Sequence, residues 1–143
     1  MDFFGLPLHP LVVHGAVVLI PLAALGALAI VFSSWARTRY GWLTVLIAAA
    51  GAVTVVVARI SGEAFKEGLG VGGAAVETHE MWGQLAPFPA VALALFLPVA
   101  LLMESRSRPA WWTFVVLTAI AAVAALVLVV LTGHSGATAV WGG

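Results

Sequence analysis

Four long apolar runs divide this chain: Leu11 to Phe32, Leu43 to Ile60, Leu85 to Met103 and Trp112 to Leu131. An apolar stretch of roughly 20 residues is what a helix needs to cross the hydrocarbon core of a bilayer. No water in that core can bind a stray N–H or C=O, so each run must close its own backbone hydrogen bonds as a helix. Only 8% of the 143 residues are charged, against about 25% in a soluble domain. The expected fold is an all-α integral membrane protein, a single four-helix transmembrane domain over residues 1–143 with no appended soluble domain.

The first run has no basic segment before it and no small-residue cleavage site, so it reads as a retained span rather than a signal peptide. The third is less regular: helix is expected from near Ala75, with Pro87, Pro89 and Pro98 bending it. Between the second and third spans, KEGLGVGGAA is glycine-rich and aperiodic, as expected of an exposed mobile loop. The chain has no cysteine, which removes thiolate metal sites, iron–sulfur clusters, covalent c-type haem and disulfides. Its net charge of zero gives no basic surface for a nucleic acid.

Orientation follows from the basic residues. Arg37 and Arg39 lie in the connection between spans one and two, Arg106 and Arg108 in that between spans three and four. The positive-inside rule places both on the cytoplasmic side, with Trp35, Tyr40, Trp42, Trp111 and Trp112 forming an aromatic belt beside them. Both termini then lie outside. The outer end collects all four histidines, His9, His14, His79 and His134, with five of the six carboxylates, Asp2, Glu63, Glu67, Glu77 and Glu80. Arg59 and Lys66 are the bases there.

The halves, about 1–72 and 73–143, read as a repeat. RTRYGW at Arg37 matches RSRPAW at Arg106, ISGE at Ile60 parallels LTGH at Leu131, and His9 parallels His79. Two copies of a hairpin insert the same way up, which implies a pseudo-two-fold axis along the membrane normal and makes Glu63 equivalent to His134. Counting from the arginine connections at about 1.5 Å per residue, His9, His79 and His134 each fall roughly 35 Å away, with Glu63 near that level and His14 about 7 Å deeper.

Two chemistries use imidazoles gathered at one end of a bundle. Axial ligation of b-type haem needs two histidines facing across an apolar slot. His14 within span one is the best-placed ligand, with His79 or His134 opposite and Arg59 to pair with a propionate. Alternatively His9, His79, His134 and Glu63 form a zinc, copper or non-haem iron site. A histidine at a helix mouth also has plainer uses, at the interface or against a helix dipole, and Arg59 can pair with Glu63 one turn on. Ser61, or Ser135 beside His134, offers a hydroxyl, but no nucleophile–base motif surrounds either. No catalytic motif is found. The midplane, apart from prolines and Thr54, is nearly all Ala, Val and Leu, unlike that of a transporter.

LPLHPLVVH at Leu6 to His14, ETHEMWGQL around His79 and LTGHSGATAVWGG from Leu131 together resemble a family of small four-span bacterial membrane proteins, domain of unknown function 2231, over essentially the whole chain. The family's first motif usually continues with an aromatic residue and a proline, whereas this chain has Gly15 and Ala16. Some relatives are joined to redox domains, so the resemblance implies a role in electron transfer. The expected protein is thus a haem b- or metal-binding redox component of the bacterial cytoplasmic membrane with both termini outside. Its expected partners are the lipid bilayer and a redox partner, a larger membrane complex or further copies of itself. The alternative is a cofactor-free structural or accessory subunit.

Overall fold

The computed structural model describes residues 2–3, 6–69 and 72–141. The side chains of residues 1–8, Phe65 and Leu69, and with them the carboxylate of Asp2, lie outside the described set, as do residues 70–71 of the glycine-rich segment and the final GG of the closing motif. A short antiparallel pairing of β1 (Asp2–Phe3) with β2 (Leu6–Pro7) precedes α1 (Leu8–Phe32). There follow α2 (Ser34–Leu69), α3 (Ala74–Leu85), α4 (Pro87–Met103) and α5 (Arg108–Trp141).

Four of the resulting segments are long and apolar enough to cross a membrane, because α3 and α4 form one stretch, Ala74–Met103. The break between them is at Ala86. Pro87 has no N–H to continue the ladder, so it opens α4, while the Ala86 N–H still bonds to the Trp82 carbonyl at 3.0 Å. Pro21 and Pro98 lie inside helices, which membrane bundles tolerate because neighbouring groups satisfy the freed carbonyls.

Helix runs further than the apolar pattern predicts. KEGLGVGGAA is not a ten-residue loop: α2 continues through Gly68 to Leu69, and α3 begins at Ala74. Good helix formers, Glu63, Ala64, Lys66 and Glu67, carry α2 on, and Lys66 pairs with Glu80 of α3. At the other end Arg37 and Arg39 lie within α2 rather than in a loop. Ser33 alone interrupts the helices there, its Oγ accepting from the Ala36 N–H at 3.3 Å. With 36 and 34 residues, α2 and α5 are about 50 Å long at 1.5 Å per residue, beyond the roughly 30 Å hydrocarbon core.

In the bundle α1 packs on α2 and α5, and α4 packs on the same two helices. The interior is built from small side chains: Ala23, Ala24, Ala27, Ala48, Ala121, Ala122 and Ala125 are buried, with Ile20, Leu93 and Leu97 filling the gaps. Large residues such as Val18, Leu46, Leu95 and Ile120 point outward. Lipid is as apolar as leucine, so association rests on close backbone approach, which small residues permit. Gly26 marks one such approach, since a Cβ there would lie 2.9 Å from Thr44 Cγ2.

Candidate functional site

In an α-helix the residue at i+4 sits over the carbonyl of residue i. A glycine at i+4 uncovers that carbonyl to a neighbouring helix. Near the end of α2, Ala58 is followed by Ser61 and Gly62, and His9 of α1 takes the opening: its Nδ1 is 2.9 Å from the Ala58 carbonyl and 3.3 Å from Ser61 Oγ. The ring lies so close over Gly62 that a Cβ there would be 3.0 Å from its Cε1. Ser61 donates its own hydroxyl back to the Ala58 carbonyl at 3.2 Å.

The same arrangement recurs at the same end of the bundle. His79 of α3 places Nδ1 3.0 Å from the Thr132 carbonyl of α5 and 3.4 Å from Ser135 Oγ, and a Cβ on Gly136 would be 3.0 Å from its Cε1. Ser135 donates to the Thr132 carbonyl at 3.0 Å. Ser61–Gly62 therefore corresponds to Ser135–Gly136, three residues beyond the match of Glu63 with His134 expected from ISGE and LTGH. The separation is 52 residues from His9 to Ser61 and 56 from His79 to Ser135. The four extra residues are about one helical turn, which returns the motif to the same helix face.

Two cavities open at this end. One, of about 380 Å³, is walled by α1, α2, α5 and the α3–α4 stretch, from Val13, Val55 and Ala86 up to Gly136. The other, of about 290 Å³, lies between α2, α3 and α5, with Glu63, Lys66 and Glu80 on its walls. Ala58, Arg59, His79, Gly83 and Gly136 line both. The rest of the lining is mostly apolar, and the volumes fall around the lower part of the roughly 300–1,000 Å³ range of small-molecule sites.

The expected site residues thus separate. Arg59 and His79 are brought together on common cavities, with Glu63 on one of them. His9 docks behind Ala58 and Gly62, on the α2 wall of those cavities. His14, expected to face inward as the leading haem ligand, instead faces outward, its Nδ1 turned 2.6 Å from the Pro10 carbonyl of its own helix. A backbone acceptor one turn back supplies the partner that a buried imidazole would otherwise need from another helix. His134 is also exposed, because the face of α5 turned to α3 carries Thr132, Ser135 and Gly136 instead. Among the described residues no three His, Cys, Asp or Glu side chains converge as metal ligands, and no ion pair joins Arg59 to Glu63. Each serine donates to its own helix, and Ser135 stands beside His79 rather than His134. Sequence reading missed Ser61, Gly62, Ser135 and Gly136 as the residues that hold the imidazoles. The repeated Ser-Gly dipeptide was the available signal.

At the arginine end Arg37, with a side chain 12% exposed, pairs with Glu104 at 2.8 Å, donates to the Ile30 carbonyl at 2.8 Å and lies over the Trp111 ring. Arg108 approaches the same ring.

Fold and site define a four-span membrane protein with a histidine-lined hollow at one end of its bundle. The family of predicted membrane proteins designated DUF2231 matches residues 5–143, and the chain belongs to it. Neither a curated protein nor a solved structure matches the chain.

Proposed function

We propose that this protein is a redox component of the bacterial cytoplasmic membrane that binds b-type haem in the hollow at the histidine end, on the extracytoplasmic side. The observation that carries this reading is that His79 lines both cavities while its Nδ1 is held by the Thr132 carbonyl; with His14 turned outward and His134 exposed, one imidazole would hold the iron rather than the expected two. A carbonyl has no proton to give, so Nδ1 carries the hydrogen and Nε2 keeps its lone pair, the form in which imidazole ligates iron. The second nitrogen of a ligating histidine is commonly fixed in this way. Arg59, on both cavities, is placed to pair with a propionate, and the apolar walls from Val13 to Val129 suit a macrocycle. When bound, haem supplies one-electron chemistry. The chain holds it, excludes water from its faces and sets its charge environment through Arg59.

The test is reconstitution. Purified protein in detergent, titrated with haem, is expected to develop a Soret band at one haem per chain. Absence of any Soret band sinks the haem reading. Elemental analysis then tests for a bare zinc, copper or iron ion, which His79 would hold without the convergence of His9, His134 and Glu63 expected from the sequence. One observation favours a cofactor-free accessory role: His9 and His79 each tie two helices together. That role predicts neither haem nor metal in the purified protein.

A further inference from the structure

The two cradles share more than a histidine. Each offers a carbonyl at i, a serine at i+3 that donates to that carbonyl, and a glycine at i+4 that lets the ring lie against the helix. Distances agree closely: 2.9 and 3.0 Å from Nδ1 to the carbonyl, 3.3 and 3.4 Å from Nδ1 to the serine Oγ. The flanking residues differ, Arg59 and Ile60 in α2 against Gly133 and His134 in α5. What recurs is the set of groups that touch the imidazole.

We propose that Ser61–Gly62 and Ser135–Gly136 are positioning residues, which hold His9 and His79 through a protonated Nδ1 and, at His79, make Nε2 the ligating or proton-accepting atom. The carbonyl accepts the Nδ1 hydrogen, and the serine, having given its own hydrogen to that carbonyl, presents only lone pairs to the ring. Both neighbours of Nδ1 are acceptors. The tautomer is therefore fixed before anything enters the hollow. Glycine suits the position because a Cβ would lie 3.0 Å from the ring, which must then give by a few tenths of an ångström, and a branched side chain would push it further from the carbonyl. This sets the class of group that neutral His79 can hold: a Lewis acid such as an iron or zinc centre, or a proton donor such as a hydroxyl. A ligand offering only carbonyl acceptors has no complementary atom there. This last step rests on the reading of the hollow as the binding site, whereas the tautomer stands without it.

Nitrogen-15 NMR of histidine-labelled, ligand-free protein in lipid nanodiscs separates the two. Signals are assigned with single His→Gln variants, at a pH above the imidazole titration. His9 and His79 are expected to show a protonated Nδ1, and His79 an unprotonated Nε2. Gly136→Val is expected to abolish the fixed tautomer of His79 and leave His9 unchanged, and Gly62→Val the reverse. Ser135→Ala, which leaves the carbonyl in place, is expected to weaken the preference of His79 without reversing it. Should either glycine variant fail to fold, the wild-type spectrum and Ser135→Ala still decide. A protonated Nε2 on His79 or His9 overturns the proposal, as does a folded Gly136→Val protein in which His79 is unaltered. Failure of haem to bind, with the Nδ1–H tautomer intact, overturns only the haem reading.

Discussion

The two ends of the bundle solve opposite problems with the same kind of material. At the arginine end the partly buried side chain of Arg37 is paired, with Glu104, the Ile30 carbonyl and the face of Trp111 around it. At the histidine end Arg59 is exposed on cavities that it shares with His79, and no acid among the described residues pairs with it. A membrane protein that leaves an arginine and an imidazole facing an apolar hollow is less well satisfied there than it needs to be for stability alone. On the proposed reading, the arginine end serves stability and the histidine end takes the ligand.

Replacing residues at each end should separate these roles. The largest loss of stability is expected for Arg37→Ala, which removes two charge-assisted contacts and the cover of Trp111, at a cost of about 1.5–3 kcal/mol. Thermal unfolding in detergent measures it, and haem titration of the surviving folded protein should be unchanged. Gly26→Ala comes next. Thr44 is stiff at χ1 and held by its bond to the Tyr40 carbonyl, so it yields poorly to the new Cβ, and overpacking of this kind costs about 1–3 kcal/mol.

Thr118→Val runs the other way. Its Oγ1 is buried without a hydrogen-bond partner among the described residues, and a methyl of the same shape should raise stability by up to about 1–3 kcal/mol, the cost of an unsatisfied polar group. An unchanged or lowered midpoint would mean that the hydroxyl finds a partner. The smallest effect is expected for Glu80→Gln, which breaks the partly exposed pair with Lys66 on the cavity wall. Exposed pairs contribute little, so the midpoint should hardly move. A large drop there would mean that the open end, too, is held by its charges.

The fold was largely legible because composition and span length leave few alternatives for a backbone that must satisfy itself in lipid. The broken third helix was legible in Pro87. The length of α2 was not: the glycines of KEGLGVGGAA read as a loop, whereas Glu63 to Glu67 and the reach of Lys66 to Glu80 keep it helical. At the site, that His9 and His79 lie at one end followed from counting. Which way each ring turns did not, since His14 and His134 differ from them only in having other neighbours in space. His14 was favoured for its depth, but a carbonyl one turn back on its own helix already serves it. The likeness of Ser61–Gly62 to Ser135–Gly136 was hidden because LTGH and HSGA overlap, and only the hydrogen bonds of His79 pick out the second.

On the proposed reading the open end binds through His79 and not through the deeper His14. Haem titration followed at the Soret band, with wild type, His79→Ala and His14→Ala side by side, tests it most directly. The account predicts a saturable band in wild type and in His14→Ala, and its loss in His79→Ala. A band that survives His79→Ala and disappears in His14→Ala would contradict it.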